Sequence, residues 1–249
     1  TESVIKKIKQ SILDQQYIAS RPYIASVISV DFKSVIVNKP WGHEYLMYSN
    51  PKTEVWNLSL RHQRSTSMHC HPNKRTSLVV IEGRALFSTL NESWELLPMD
   101  AMVIDQGVFH STQCISKEGL RLLEFESPPM KHDLLRLEDK YGRAQKGYEG
   151  AEGMTADSKE LRFFSPKNFN QPKDIGETKL CLRKVRITKD IIKSASKSST
   201  LTVLLSGSIK SKTGERMYFP TNVIAAGELK DSDYVFENVT VLLIGQNSL

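Results

Sequence analysis

Cysteine is scarce in this chain, and its three cysteines, Cys70, Cys114 and Cys181, form no Cys-x-x-Cys pair. An odd, sparse set excludes a disulfide scaffold and points to reduced thiols in a cytoplasmic protein. Long apolar runs are missing too. Stretches such as LTVLL and VLLIG are far too short to cross a bilayer, so no membrane partner is expected. The opening TESVIKKIKQSILDQQYIAS is amphipathic and lacks the apolar core of a signal peptide. No Lys/Arg block exceeds two residues, and no basic run interleaves with aromatics. The net charge of +6 therefore gives no nucleic-acid footprint and suits an anionic small-molecule substrate at least as well. A Walker loop, a dinucleotide-binding glycine pattern after a strand and a Gly-x-Ser-x-Gly elbow are also missing. Those absences argue against an ATPase, an NAD dehydrogenase and a serine hydrolase.

What is present is β pattern. The first twenty or so residues read as a helix, with Val4, Ile5, Ile8, Ile12 and Leu13 near a 3.6-residue stripe. From Ser34 short β-rich pieces follow one another between turn residues, including TEVWNLSLR, SLVVIEG, AMVID and RLLEFE. Such spacing without long helices predicts an all-β sandwich or barrel. The Pro- and Gly-containing stretch from 128 breaks the rhythm, with a helical turn or two expected around KHDLLRLEDKY, and β pattern then returns. The division expected is an N-terminal helical segment over 1–33, a barrel over 34–127, a connector over 128–174 and a second barrel over 175–249. The two β regions overlay in shape, SLVVIEGRALFSTL on LTVLLSGSIKSKTG, which suggests an internal duplication. The second copy contains no histidine, since the last is His132.

Two of the six histidines stand one residue apart in STSMHCHPNKRTSLVVIEG. On a strand, residues two apart share a face, so His69 and His71 project together while Cys70 points away as a packing residue. His110, in DQGVFHST, follows a glycine turn at the start of another β stretch. Three imidazoles with open positions left over make a reactive metal site rather than a closed structural one. Around the pair stand Arg61, Arg64, Lys74 and Arg75, which would hold a phosphate or carboxylate or simply form a solvated loop face. Candidate acid/base groups are Glu44, Glu124 and Glu126. Glu124 and Glu126 share a face opposite Leu123 and Phe125, and alternation leaves open which face looks inward.

The arrangement resembles the cupin family over about residues 35 to 127. His69-Cys70-His71 with Gly83 matches the first cupin motif, and Gly107 with His110 matches the second. Two departures stand out: Thr76 where the family places a glutamate ligand, and Gln106 where it has proline. The resemblance implies a double-stranded β-helix (jelly-roll) barrel, a bicupin whose second copy is degenerate, and a homodimer. It implies one divalent metal ion, whether zinc, iron, manganese or nickel, held by His69, His71 and His110. NKPWGHEY is similar to the Pro-Trp-Gly segment of mannose-6-phosphate isomerase cupins, which points to phosphosugars. The function expected is a metal-dependent isomerase or epimerase acting on a sugar phosphate or nucleotide-linked sugar. In it Glu124 and Glu44 would serve as proton carriers, and Arg61, Lys74 and Arg75 as anion holders. A three-histidine non-haem iron dioxygenase and a non-catalytic carbohydrate-binding bicupin are the alternatives.

Overall fold

The computed structural model describes residues 3–21, 23, 30–143, 148, 150–157, 159–186, 200–225, 227–229 and 234–246. Its core is two facing sheets. One has eight strands, in the order Ile5–Ile8, Ala101–Ile104, Arg75–Glu82, Leu120–Ser127, Glu54–Leu60, Gly42–Ser49, Val35–Lys39 and Met154–Ala156. The other has five, in the order Leu135–Glu138, Met68–Cys70, His110–Cys114, Ala85–Thr89 and Ser93–Leu96. Chain neighbours repeatedly land in opposite sheets, as a double-stranded β-helix requires. The interior between the sheets is apolar at one end, where Trp56, Leu58, Val80, Phe87, Met102 and Leu122 meet.

A third sheet of six strands is built from 173–246, with Thr178–Val185, Tyr234–Gln246 and Thr200–Ser211 at its centre. It covers the outer face of the eight-stranded sheet: Leu182, Val203, Leu242 and Ile244 pack on Val55, Val79, Ile81, Leu123 and Phe125. The eight-stranded sheet is thus buried on both sides, which is why Leu78-Val79-Val80-Ile81 reads as an unbroken apolar run rather than an alternation. A further apolar cluster, including Cys181, Leu204, Tyr218 and Val241, lies on the other face of the six-stranded sheet.

Two local expectations are corrected. The N-terminal stripe is not one helix: Ile5–Ile8 is a strand paired in parallel with Ala101–Ile104, and the helix runs only over Ile12–Ala19. Edge pairing captures the first isoleucines, and the helix starts where Ser11 and Asp14 form a reciprocal capping box. Residues 22 and 24–29 of that segment lie outside the described residues. The turns of helix expected near 131–141 are instead the strand Leu135–Glu138, which borrows its hydrogen bonds from Met68–Cys70. Met154–Ala156 likewise pairs with Val35–Val37. Both sheets of the barrel therefore draw strands from the segment read as a connector.

No described helix is long and apolar enough to cross a membrane.

Candidate metal centre

The three histidines come from two adjacent strands and the turn between sheets. His69 and His110 are directly opposite each other in antiparallel register, and His71 follows two residues on from His69. All three are buried, and one ring nitrogen from each lies within 4.8 Å of the other two. Three imidazole nitrogens gathered this closely could hold a single metal ion. Among the described residues no carboxylate or thiol joins the group.

Each ring is held in one orientation by main chain. Nδ1 of His69 donates to the Ser67 carbonyl (2.8 Å), Nδ1 of His71 to the Asp133 carbonyl (2.6 Å) and Nδ1 of His110 to the Val108 carbonyl (2.9 Å). With Nδ1 carrying the proton, Nε2 is left as the bare donor in every case. Nε2 of His71 is fully buried and has no hydrogen-bond partner among the described residues. Burial, reinforced by the His110 ring, holds His69 well below the usual imidazole range; burial, reinforced by Lys74, does the same for His71. Burial brings His110 down to about 4. Three neutral imidazoles with fixed tautomers and converging lone pairs fit a divalent ion. The other three histidines, His43, His62 and His132, stand outside the cluster.

The turns that carry these residues are fixed in detail. Gly107 has φ +72°, its N–H donates to the His71 carbonyl, and an added Cβ would lie 2.3 Å from Gln10 Nε2. Gln106 Nε2 donates to the Asn73 carbonyl at 2.9 Å, so the residue in the family's proline position ties the two turns together. The N-terminal helix closes the outside: Asp14 accepts the Phe109 N–H (2.9 Å), while Tyr17 and Ile18 cover Cys70 and Phe109. Cys70 is therefore a packing residue, and Cys114 is buried in the interior core.

The histidines share their cavity with a buried ionic network. Leu123 and Phe125 pack outward against the six-stranded sheet, so Glu124 and Glu126 face inward. Lys131 Nζ lies 3.1 Å from Glu124, 2.9 Å from Glu126 and 3.6 Å from Glu44, and 4.1 Å from the centre of the Trp56 ring. Lys74 Nζ lies 2.8 Å from Glu126, and Lys39 Nζ 3.2 Å from Glu44. Tyr148 donates its hydroxyl to Glu44 and stacks against Lys39. Burial pushes the Glu124 carboxyl up to about 7 against the pull of Lys131, with Glu126 adding to the rise. Burial also opposes ionisation of Glu126, but Lys131 and Lys74 outweigh it and hold that carboxyl low. Lys131 and Lys39 likewise outweigh burial at Glu44 and keep it ionised.

Of the cations expected around the site, the structure brings in Lys74 alone. Side chains at 74, 76 and 78 face inward and those at 75, 77 and 79 outward, so Arg75 is exposed beside Asp105, 3.6 Å away. Arg61 is exposed and donates to the Pro40 carbonyl. Neither lines the cavity. Thr76 is buried and in register with Glu126 on the neighbouring strand, so the carboxylate missing from one strand has a counterpart on the next, held by two lysines. The residues that sequence reasoning missed are Lys39, Lys131, Asp133 and Arg136; Tyr148, expected in a lid, dimer contact or surface connector, is instead buried against Glu44. Asp133 is fully buried, accepts the N–H groups of Asn73 (2.8 Å) and Lys74 (3.0 Å), and so fixes the loop after His71. The alternation of Leu135 and Leu137 with polar residues was the one sequence signal that this stretch is a strand.

Fold and site together define a double-stranded β-helix protein with a buried three-histidine centre. No family model and no curated protein matches the chain. Among solved structures it is similar to KdgF from a Halomonas species, at 15% identity and TM-score 0.34 over 36% of this chain and 81% of that one. It is also similar to the capsular polysaccharide assembling protein CapF from Staphylococcus aureus, at 14% identity and TM-score 0.37 over 42% of this chain and 34% of that one. A cupin-superfamily sugar phosphate isomerase from Silicibacter pomeroyi is a third, at 14% identity and TM-score 0.32 over 34% of this chain and 58% of that one.

Proposed function

We propose that this protein is a metal-dependent cupin enzyme that moves a proton on an anionic sugar derivative, as an isomerase or epimerase. One observation carries the reading: three convergent, neutral imidazoles share a cavity with a buried carboxyl, Glu124, poised near neutrality. A divalent ion held by His69, His71 and His110 would supply Lewis-acid polarisation of a substrate oxygen. Glu124 is the proton carrier, because a carboxyl near pKa 7 can both take and return a proton at neutral pH. Lys131 holds Glu124 in place and stabilises its ionised form. Glu44, held ionised between Lys39, Lys131 and the Tyr148 hydroxyl, positions Tyr148 and takes no proton itself. The six-stranded sheet, apolar on both faces and lacking histidine, fits a reduced second copy of the barrel that contributes support and no chemistry.

The test is solvent-proton exchange. Metal-loaded protein, purified without a histidine tag, is incubated in deuterated water with a panel of aldose and ketose phosphates and followed by proton NMR. One C–H signal is expected to exchange, and chelation should stop it. Glu124→Gln should slow exchange by about 10²–10⁴-fold. The wild-type rate should rise with pH through about 7, because Glu124 must lose its proton before it can accept another. Metal bound but no exchange with any member of the panel would count against the isomerase reading. A second reading, oxygen-dependent chemistry at an iron centre, draws on the all-nitrogen donor set. Substrate-dependent oxygen uptake would favour it.

A further inference from the structure

Two of the three imidazoles are steered from outside the barrel by a segment that supplies no ligand. His110 donates from Nδ1 to the Val108 carbonyl at 2.9 Å, and the same peptide unit presents the Phe109 N–H to Asp14, also at 2.9 Å. A peptide unit is planar and trans, so its carbonyl and its N–H point in opposite directions and turn together. Fixing the N–H at Asp14 therefore fixes the carbonyl that sets the His110 ring. Asp14 is held in its turn. It is 3% exposed, and its other oxygen accepts the Ser11 main-chain N–H (2.8 Å) and hydroxyl (2.6 Å) in the capping box of the helix Ile12–Ala19.

His71 is served in the same way. Its Nδ1 donates to the Asp133 carbonyl at 2.6 Å. The Asp133 carboxylate is fully buried and accepts four hydrogen bonds, from the Asn73 N–H (2.8 Å), the Asn73 amide (2.9 Å), the Lys74 N–H (3.0 Å) and the Tyr23 hydroxyl. Three of those donors belong to the loop after His71, so Tyr23 is the tie to the N-terminal segment. Taking one donor from a buried carboxylate leaves an oxygen under-satisfied, and the residues around it must shift to compensate. Between the two ties the Tyr17 ring meets Phe109 edge-on, and Tyr17, Ile18 and Tyr23 pack with Cys70, the residue between the paired histidines. An added Cβ at Gly107 would meet Gln10 at 2.3 Å and Ile18 at 2.9 Å, so the segment lies directly on that turn. Gln10, the helix and Tyr23 thus form a strap across both ligand-bearing turns, and only His69 takes its orientation from the barrel itself, through the Ser67 carbonyl.

We propose that Asp14 and Tyr23 are positioning residues for the metal centre: acting through the Val108–Phe109 peptide and through Asp133, they hold the His110 and His71 rings in the geometry that binds an ion tightly. The proposal rests on the metal reading above and adds to it that metal affinity is set in part by a strap that contributes no donor atom.

The test uses cobalt, whose visible absorption reports the geometry of its donors. Wild type and the variants Tyr23→Phe, Asp14→Ala, Asp14→Asn and Ser11→Ala, purified without a histidine tag and stripped by chelator, are titrated with cobalt. Thermal melts of the stripped proteins are recorded alongside. Tyr23→Phe and Asp14→Ala should each lose about tenfold in cobalt affinity, the lower end of what losing a group that orients a metal ligand costs, and their absorption bands should shift. Asp14→Asn keeps an acceptor oxygen for the Phe109 N–H and should recover most of that affinity. Ser11→Ala removes the helix cap but leaves the hydrogen bond from Phe109 to Asp14 in place. It should therefore lower the melting temperature while keeping wild-type affinity and absorption. Wild-type affinity and absorption in Tyr23→Phe would overturn the proposal. So would a loss in Ser11→Ala as large as that in Asp14→Ala, which would show general destabilisation in place of positioning. Should Asp14→Ala not fold, Tyr23→Phe, which deletes a single hydroxyl, decides the matter against Ser11→Ala. A wild type that takes up no cobalt sinks the metal reading, and the proposal with it, before any variant is compared.

Discussion

Lys131→Met is expected to destabilise the fold by about 3–5 kcal/mol, the usual cost of leaving a buried ionic partner uncompensated. The lysine ammonium touches three carboxylates, and together with burial they set its own state: burial works against the charge, while Glu124, Glu126 and Glu44 outweigh burial and hold the lysine protonated far above its ordinary range. Methionine fills similar space, so packing against Trp56 is largely kept and the loss reports the charge. The deficit should be larger at pH 8 than at pH 5. Without Lys131 the glutamates' folded-state affinities for protons rise above those of the unfolded chain, so the cost is present above the unfolded carboxylate range and is relieved as pH falls and they protonate. Adding Glu124→Leu should recover part of the loss, the sign of coupling in a double-mutant cycle. Urea unfolding of the four proteins at the two pH values checks this, and a single-mutant loss below about 0.5 kcal/mol would show that the network contributes nothing.

The second large effect is on metal. His71→Ala should abolish tight binding of divalent ions, because it removes one of three donors in a cluster that no carboxylate joins among the described residues. Zinc at about a hundred times its dissociation constant should stabilise wild type by about 2.7 kcal/mol and leave the variant's melting temperature unmoved. Thermal melts with and without zinc read this directly. Equal stabilisation of both proteins would place the ion elsewhere.

The legible and illegible parts of the sequence divide along a physical line. His69 and His71 could be read because the strand period of two puts them on one face, and Gly83 and Gly107 because both sit at positive φ where a side chain would collide with neighbours. The facing of Glu124 and Glu126 could not be read, because a strand buried on both sides loses the alternation that would reveal it. The network around them was hidden for a related reason. A buried lysine balanced by glutamates looks, in sequence, like a solvated charge, so SPPMKHDLLRLEDK read as a connector although it supplies Lys131, Asp133 and Arg136 to the buried site. Loop arginines near the histidines were conspicuous and misleading, since Arg75 turns outward one residue after Lys74 turns inward. At the N-terminus, Ile5 and Ile8 suit a helical stripe, but pairing with Ala101–Ile104 decides their conformation.

The central claim is that His69, His71 and His110 hold one metal ion. Its most direct test is the metal-to-protein ratio of chain expressed and purified without a histidine tag or chelators, measured by inductively coupled plasma mass spectrometry beside His71→Ala. About one divalent ion per chain is expected in wild type and close to none in the variant; substoichiometric metal in wild type that zinc cannot raise, or equal content in the two proteins, would contradict a shared three-histidine site.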